Sequence, residues 1–120
     1  MLKEFEGIRQ TAAGRRRNFV ADGYDLYAWY DDNEHLYGFQ LVYGLGDEQK
    51  ALTWTEKEGY FHNNVDEGES GRFKQTPLLV PDGVFAPAAL LARLEPLMVE
   101  VEAPVRELVL DRIRGFSTKN

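Results

Sequence analysis

Side chains suited to catalysis are scarce in this sequence. It contains two histidines, two serines and no cysteine, so thiolate nucleophiles and disulfide bonds are excluded. His62 is followed at alternating positions by Asn64 and Asp66, and alternate residues of a strand lie on the same face. A histidine beside an aspartate can act as a general base, so His62 and Asp66 are the candidate catalytic residues. The simpler interpretation, which we prefer, places His62 on an exposed polar face of a strand.

A run of three arginines, Arg15 to Arg17, could bind an anion. If the run is a strand, Arg15 and Arg17 lie on one face and Arg16 on the other. Two guanidinium groups side by side bind phosphate or carboxylate well. The alternative, which we favour, is a charged strand that pairs with acidic neighbours and discourages aggregation at a sheet edge.

Neither a metal nor a cofactor is predicted. A metal site around His62 would need His35, the second and last imidazole of the chain, and a further ligand. The cluster Gly44-Leu45-Gly46 lacks the remaining glycine and the following helix of a dinucleotide-binding fingerprint. The glycine cluster is therefore interpreted as an ordinary turn.

Aromatic residues are concentrated between positions 24 and 61. Most aromatic residues of a sheet pack in its core and pair across strands. Rings that stay on the surface indicate a ligand pocket or a contact with another chain. The candidate interaction residues are Tyr27, Trp29, Tyr37, Phe39 and Tyr43, with Arg15 and Arg17 beside them.

These residues lie on predicted strands. Turn signals such as Asp22-Gly23 separate stretches of high strand propensity. The connections are too short for parallel crossovers, so the strands must be antiparallel. The predicted strands are 15–21, 24–30, 36–43, 50–55 and 59–65, with weaker candidates at 2–9 and, as an edge strand, 76–80.

Two helices are predicted after the strands. Pro87 suits the first position of a helix that Pro96 ends or kinks. A second helix begins near Pro104 and ends near Gly115, with apolar residues every three or four positions. We therefore predict one α+β domain: an antiparallel β-meander of about five to seven strands within residues 1–80, and two C-terminal helices within 84–116 packed on one face.

The alternation within the strands predicts which side chains face the helices. In strand 36–43, Tyr37, Phe39, Leu41 and Tyr43 are expected on one face, opposite Leu36 and the other even-numbered residues. Strand 24–30 carries Tyr27 and Trp29 on one face and apolar residues on the other. Because two helices cover a single face, the opposite face is expected to keep several uncovered aromatic rings.

The charge of the chain restricts its partners. The net charge is −6, and residues 21–70 hold twelve acidic and two basic side chains. Such an acidic segment repels phosphate backbones, so no nucleic-acid binding is predicted. No apolar run is long enough for a signal peptide or a membrane span, which predicts a cytoplasmic protein without a membrane partner.

Two segments carry a resemblance. The run Leu36-Tyr37-Gly38-Phe39-Gln40-Leu41 and the segment from Thr76 to Gly83 resemble small bacterial proteins of this length whose function is unknown. The resemblance implies a free-standing bacterial cytoplasmic domain. It nominates no catalytic residue.

Three functional hypotheses follow. The first is a non-enzymatic binding module whose aromatic sheet face takes a small amphipathic ligand, a protein partner or a second copy of the chain. The second is a small hydrolase or isomerase that uses His62 and Asp66, with Arg15 or Arg17 holding an anionic substrate. The third is a regulatory protein whose acidic meander competes for the partner of a polyanion.

Overall fold

The computed structural model contains one antiparallel sheet and a C-terminal helical segment, and it describes residues 1–6, 14–44, 49–64 and 87–115. The sheet is a meander in which each strand pairs with its neighbours in the sequence. This confirms the predicted α+β class. The predicted strand at 76–80 lies outside the described residues. The strands are β1 (Lys3–Phe5), β2 (Arg15–Ala21), β3 (Tyr24–Tyr30), β4 (Leu36–Tyr43), β5 (Lys50–Thr55) and β6 (Gly59–Asn64).

Tight turns fix the order of the strands. Gly23 has a positive φ of 80° between β2 and β3, and Gly59 has one of 78° at the start of β6. Glycine adopts this conformation without the steric cost that a Cβ atom brings. Both turns hold consecutive strands in an antiparallel hairpin, as the loop lengths predict.

The helical segment begins at the predicted proline. Helix α1 (Pro87–Leu94) is followed directly by a 3₁₀ helix (Glu95–Met98) that contains Pro96, and helix α2 (Ala103–Gly115) comes last. Proline lacks the N–H that an α-helix interior needs, which is why α1 ends before Pro96.

One hydrophobic core lies between the sheet and the helical segment. Its sheet side includes Phe39, Leu41 and Leu52, all fully buried. Its helical side is a stripe at spacings of three and four residues, which is the pattern that buries one face of a helix. The buried residues of this stripe are Leu90, Leu94, Met98, Val101, Val105, Val109 and Ile113. In addition, the N–H of Leu2 donates to the carbonyl of Leu97, which ties the N-terminus to the 3₁₀ helix.

The faces predicted for Leu36 and Tyr37 in β4 are wrong, because the strand contains a β-bulge. Trp29 pairs with Gly38, but Tyr30 pairs with Leu36, so Tyr37 is an extra residue in the ladder. An extra residue reverses the alternation on one side of the bulge. Leu36 therefore packs against the core, and Tyr37 lies on the opposite face of the sheet, not with Phe39 as predicted from alternation.

Neither of the described helices has both the length and the apolar character needed to cross a membrane.

Candidate functional site

The face of the sheet that points away from the helices, here called the outer face, carries the candidate site. The register aligns its side chains in rows across the strands, one of which runs from Phe5 through Tyr27 to Phe61. Exposure along the outer face is uneven. Ala51 and Thr53 in β5 are buried, so this end of the face is not the uncovered surface that was expected, whereas Phe5 at the other end is 54% exposed.

Two aromatic rings stack in the middle of the outer face. The ring centroids of Trp29 and Tyr37 are 6.3 Å apart, with 28° between the ring planes. Both side chains are half-buried. Offset stacking of this kind stabilises aromatic pairs beyond the area they bury. The contact exists because the bulge turns Tyr37 toward Trp29.

Gly38 makes room for the bulge. A Cβ atom at this position would lie 2.6 Å from the carbonyl oxygen of Trp54 and 2.8 Å from Cγ2 of Thr55. Real Cβ atoms do not approach a backbone oxygen so closely, so a larger residue would push β4 and β5 apart. Glycine inside a strand commonly marks such a close approach or a bulge.

The stacked rings form one wall of a groove of about 740 Å³, here called the aromatic groove. This volume is within the range of small-molecule sites in proteins. The remaining lining comes from the β3–β4 loop and the β5–β6 turn. The aromatic groove is lined by Trp29, Asp31, Tyr37, Thr55, Glu56, Lys57 and Glu58.

Hydrogen bonds hold the charged rim of the aromatic groove in place. Oδ1 of Asp31 accepts from the N–H groups of Asn33 at 2.9 Å and His35 at 3.0 Å. The N–H of Glu56 donates to the carbonyl of Tyr37 at 2.9 Å. Nε2 of His35 lies 2.7 Å from a carboxylate oxygen of Glu56. These contacts within the protein therefore fix the backbone of the rim and the carboxylate of Asp31.

A second hollow of about 480 Å³ lies on the other side of Trp29 and is lined in part by Phe5, Tyr27 and Gln40. Burial and the nearby carboxylate of Asp25 raise the pKa of the Tyr27 phenol. The same carboxylate accepts a hydrogen bond of 2.6 Å from the side-chain amide of Asn18. Trp29 thus separates two hollows. One has an acidic rim, and the other is lined by amide and phenol groups together with the guanidinium of Arg16 and the carboxylate of Asp25.

Two of the five aromatic candidates do not belong to this surface. Phe39 is fully buried under the helical segment and stacks on Trp54, with 6.4 Å between ring centroids. Tyr43 lies on the same helix-facing side of β4 and contacts His62. Phe39 lies two residues before Leu41, and Tyr43 lies two residues after it. No bulge interrupts this part of β4, so all three side chains share one face. Tyr27, Trp29 and Tyr37 remain as the aromatic candidates on the outer face.

The predicted anion-binding arginines are paired with carboxylates of the protein. Arg15 lies 2.8 Å from Glu34, and Arg17 forms ion pairs with Glu4 at 2.7 Å and with Glu102. These hydrogen bonds raise the pKa of the Arg17 guanidinium and lower that of the Glu4 carboxyl. Both arginines share the helix-facing side of β2, as the alternation predicts. Arg17 links β1, β2 and the start of α2.

His62 is buried, not exposed as the preferred interpretation held. It is 5% exposed on the helix-facing side of β6, because its neighbour in the ladder is the core residue Leu52. Its Nε2 lies 2.6 Å from the hydroxyl of Tyr43. Asp66, its predicted partner, lies outside the described residues.

The sheet order keeps His62 apart from the arginines. His62 is in β6, while Arg15 and Arg17 are in β2, four strands away. Neighbouring strands lie about 4.8 Å apart, so the separation along the sheet is roughly 19 Å. A substrate held by either arginine is therefore out of hydrogen-bonding reach of the imidazole.

Sequence reasoning missed the acidic rim of the aromatic groove. Asp31, Glu56 and Glu58 stand in polar turns, where carboxylates are common on any soluble protein. The available signal was that alternate connections of a meander, here β3–β4 and β5–β6, lie at the same end of the sheet. Both turns border the stacked pair of Trp29 and Tyr37, and this pair depends on the bulge, which alternation alone does not reveal.

No group of three or more metal-ligating side chains occurs within the described ranges 1–6, 14–44, 49–64 and 87–115. Comparison of the chain with family models, with curated proteins and with solved structures gave no match.

Proposed function

We propose that this chain is a non-enzymatic binding module whose outer sheet face takes a small amphipathic ligand at Trp29 and Tyr37. The observation that carries the proposal is the bulge. It places Tyr37 against Trp29, outside the core and beside a groove of ligand size. Trp and Tyr offer a rigid apolar surface together with a polar edge, which suits an amphipathic molecule.

The edge of the same face supports a second use. Phe5 is 54% exposed and Val20 is 42% exposed, and both lie on the outer face near β1. Apolar side chains exposed next to a half-buried aromatic pair favour contact with another protein surface. A second copy of the chain, docked through its own outer face, is the partner that this observation suggests.

The alternative enzymatic function has less geometric support. A buried imidazole bonded to a tyrosine hydroxyl can transfer protons, which favours His62 as a reactive group. Arg15 and Arg17, which were to hold an anionic substrate, instead form ion pairs with carboxylates of the protein. These carboxylates are Glu4, Glu34 and Glu102, and the two arginines lie four strands away from His62. The binding function therefore accounts for more of the site.

The binding function can be tested by native mass spectrometry of protein purified from its own host, together with sedimentation velocity. We expect a retained small molecule or a dimer, lost in Trp29→Ala. The matched control is Val99→Ala, which truncates an apolar side chain that is 61% exposed and directly follows the 3₁₀ helix, outside the strands of the sheet. A ligand or dimer that survives Trp29→Ala would contradict the proposal, as would a ligand-free monomer whose Trp29 responds to no amphipathic probe.

A further inference from the structure

We propose that the aromatic groove selects a positively charged ligand, an organic ammonium ion attached to an apolar group. This inference rests on the proposed binding function and specifies the chemical class of its ligand. Trp29 and Tyr37 supply the apolar wall, while the charges of the rim determine which sign of ligand is attracted.

The rim is acidic. Asp31, Glu56 and Glu58 line the aromatic groove against a single ammonium group, that of Lys57. Such a net negative charge attracts cations and repels carboxylates and phosphates. His35 partly offsets Glu56 when it is protonated, because the two side chains are 2.7 Å apart. Asp31 and Glu58 still leave an excess of negative charge.

The aromatic rings favour the same sign of charge. The face of an indole or phenol ring carries negative potential, and tryptophan binds ammonium groups best. Combining aromatic rings with carboxylates is how proteins recognise quaternary ammonium and methylated amine groups. An anionic amphipathic molecule would be repelled by both the ring faces and the acidic rim. A neutral one would gain only the apolar contact.

The Asp31 carboxylate and the backbone that carries Glu58 are already positioned for binding. Asp31 is held by two backbone N–H groups, and the N–H of Glu58 donates to Oγ1 of Thr55 at 3.1 Å. A rim that is already positioned loses less conformational entropy when a ligand binds. The selectivity therefore follows from the folded groove.

The test compares three probes of similar size: benzyltrimethylammonium, benzyl alcohol and benzenesulfonate. Each is titrated into a Trp54→Phe variant, so that the fluorescence reports Trp29 alone. We expect the cation to bind about threefold to tenfold more tightly than the alcohol, with no response to the sulfonate. Glu58→Gln should lower the affinity for the cation severalfold and leave the affinity for the alcohol unchanged. Glu107→Gln, on the exposed surface of α2, should change neither affinity.

The outcomes separate this inference from the binding function. Equal affinities for cation and alcohol, both lost in a further Trp29→Leu change monitored by calorimetry, would overturn the charge selectivity and keep the binding function. Preference for the sulfonate would overturn the selectivity as well. If no probe changes the fluorescence of Trp29 at millimolar concentration, the proposed charge selectivity and the proposed ligand binding in the aromatic groove are both wrong.

Discussion

The hydroxyl of Tyr43 lies 2.6 Å from Nε2 of His62, and this contact spans β5 by joining β4 to β6. The two rings are also close, with centroids 6.0 Å apart. Because His62 is 5% exposed, its polar ring needs partners within the protein. The pair is thus a polar contact at the margin of an apolar core.

Tyr43→Phe is expected to destabilise the protein by about 0.5–1.5 kcal/mol, the net contribution of one hydrogen bond. Urea unfolding followed by circular dichroism measures this change. Tyr24→Phe is the matched control, because Tyr24 lies directly opposite Tyr43 and no described residue hydrogen-bonds its hydroxyl. Equal effects of the two substitutions would show that the contact with His62 adds no stability.

Acid should weaken the link between β1 and β2. The hydrogen bonds from Arg17 lower the pKa of Glu4 below its ordinary value. A carboxyl with a lowered pKa in the folded state stabilises the protein above its unfolded pKa of about 4.3, and this contribution disappears as the pH falls through the folded pKa. We therefore expect the free energy of unfolding to fall less steeply below about pH 5 in Glu4→Gln than in the original protein.

Glu6→Gln provides the control for this measurement. Glu6 is exposed and two residues from Glu4, and it forms no ion pair with any described residue. Its substitution should leave the acid dependence unchanged. Since Glu4 itself is 34% exposed, solvent screening limits the size of the effect. Parallel pH profiles for Glu4→Gln and the original chain would refute the stabilising role of the ion pair.

Much of the fold could be predicted because its signals are local. Asp22-Gly23 defines a hairpin, short loops require antiparallel pairing, and Pro87 marks a helix start. Each of these rules acts over a few residues. The limits of β2, β3 and β4 agree with the predicted ranges for this reason.

The candidate site was predictable only in part, because it depends on contacts between distant residues. The bulge at Tyr37 cannot be read from the alternation of residue types along β4, because it changes only how these residues pair with β3. Gly38 was the local indication of it. The burial of His62 likewise depends on Leu52 beside it in the ladder and on Tyr43 two strands away. Propensity and alternation carry no information about such partners.

Replacing Gly38 with alanine should disturb the outer face and the core together. The added Cβ would meet the carbonyl oxygen of Trp54 at 2.6 Å, which is backbone and cannot rotate away. Overpacking of this kind typically costs about 1–3 kcal/mol. Gly115→Ala is the control, because the nearest atom to its added Cβ is 4.0 Å away, and we expect a change within about 0.5 kcal/mol. Thermal unfolding of both variants decides the matter, and equal stability would contradict the close approach.

Alkali should release the contact between β6 and α2. The hydroxyl of Tyr60 donates to the carbonyl of Arg112 at 2.7 Å, and burial raises the pKa of this phenol. A raised folded pKa means that the stabilisation is complete below the unfolded pKa of about 10 and is lost as the pH rises through the folded value. Tyr60→Phe should therefore lower the free energy of unfolding by about 1 kcal/mol at neutral pH, and the difference from the original chain should shrink in alkali. Urea titrations at neutral and alkaline pH measure both quantities. A difference that is constant with pH would show that ionisation of Tyr60 does not control this contact.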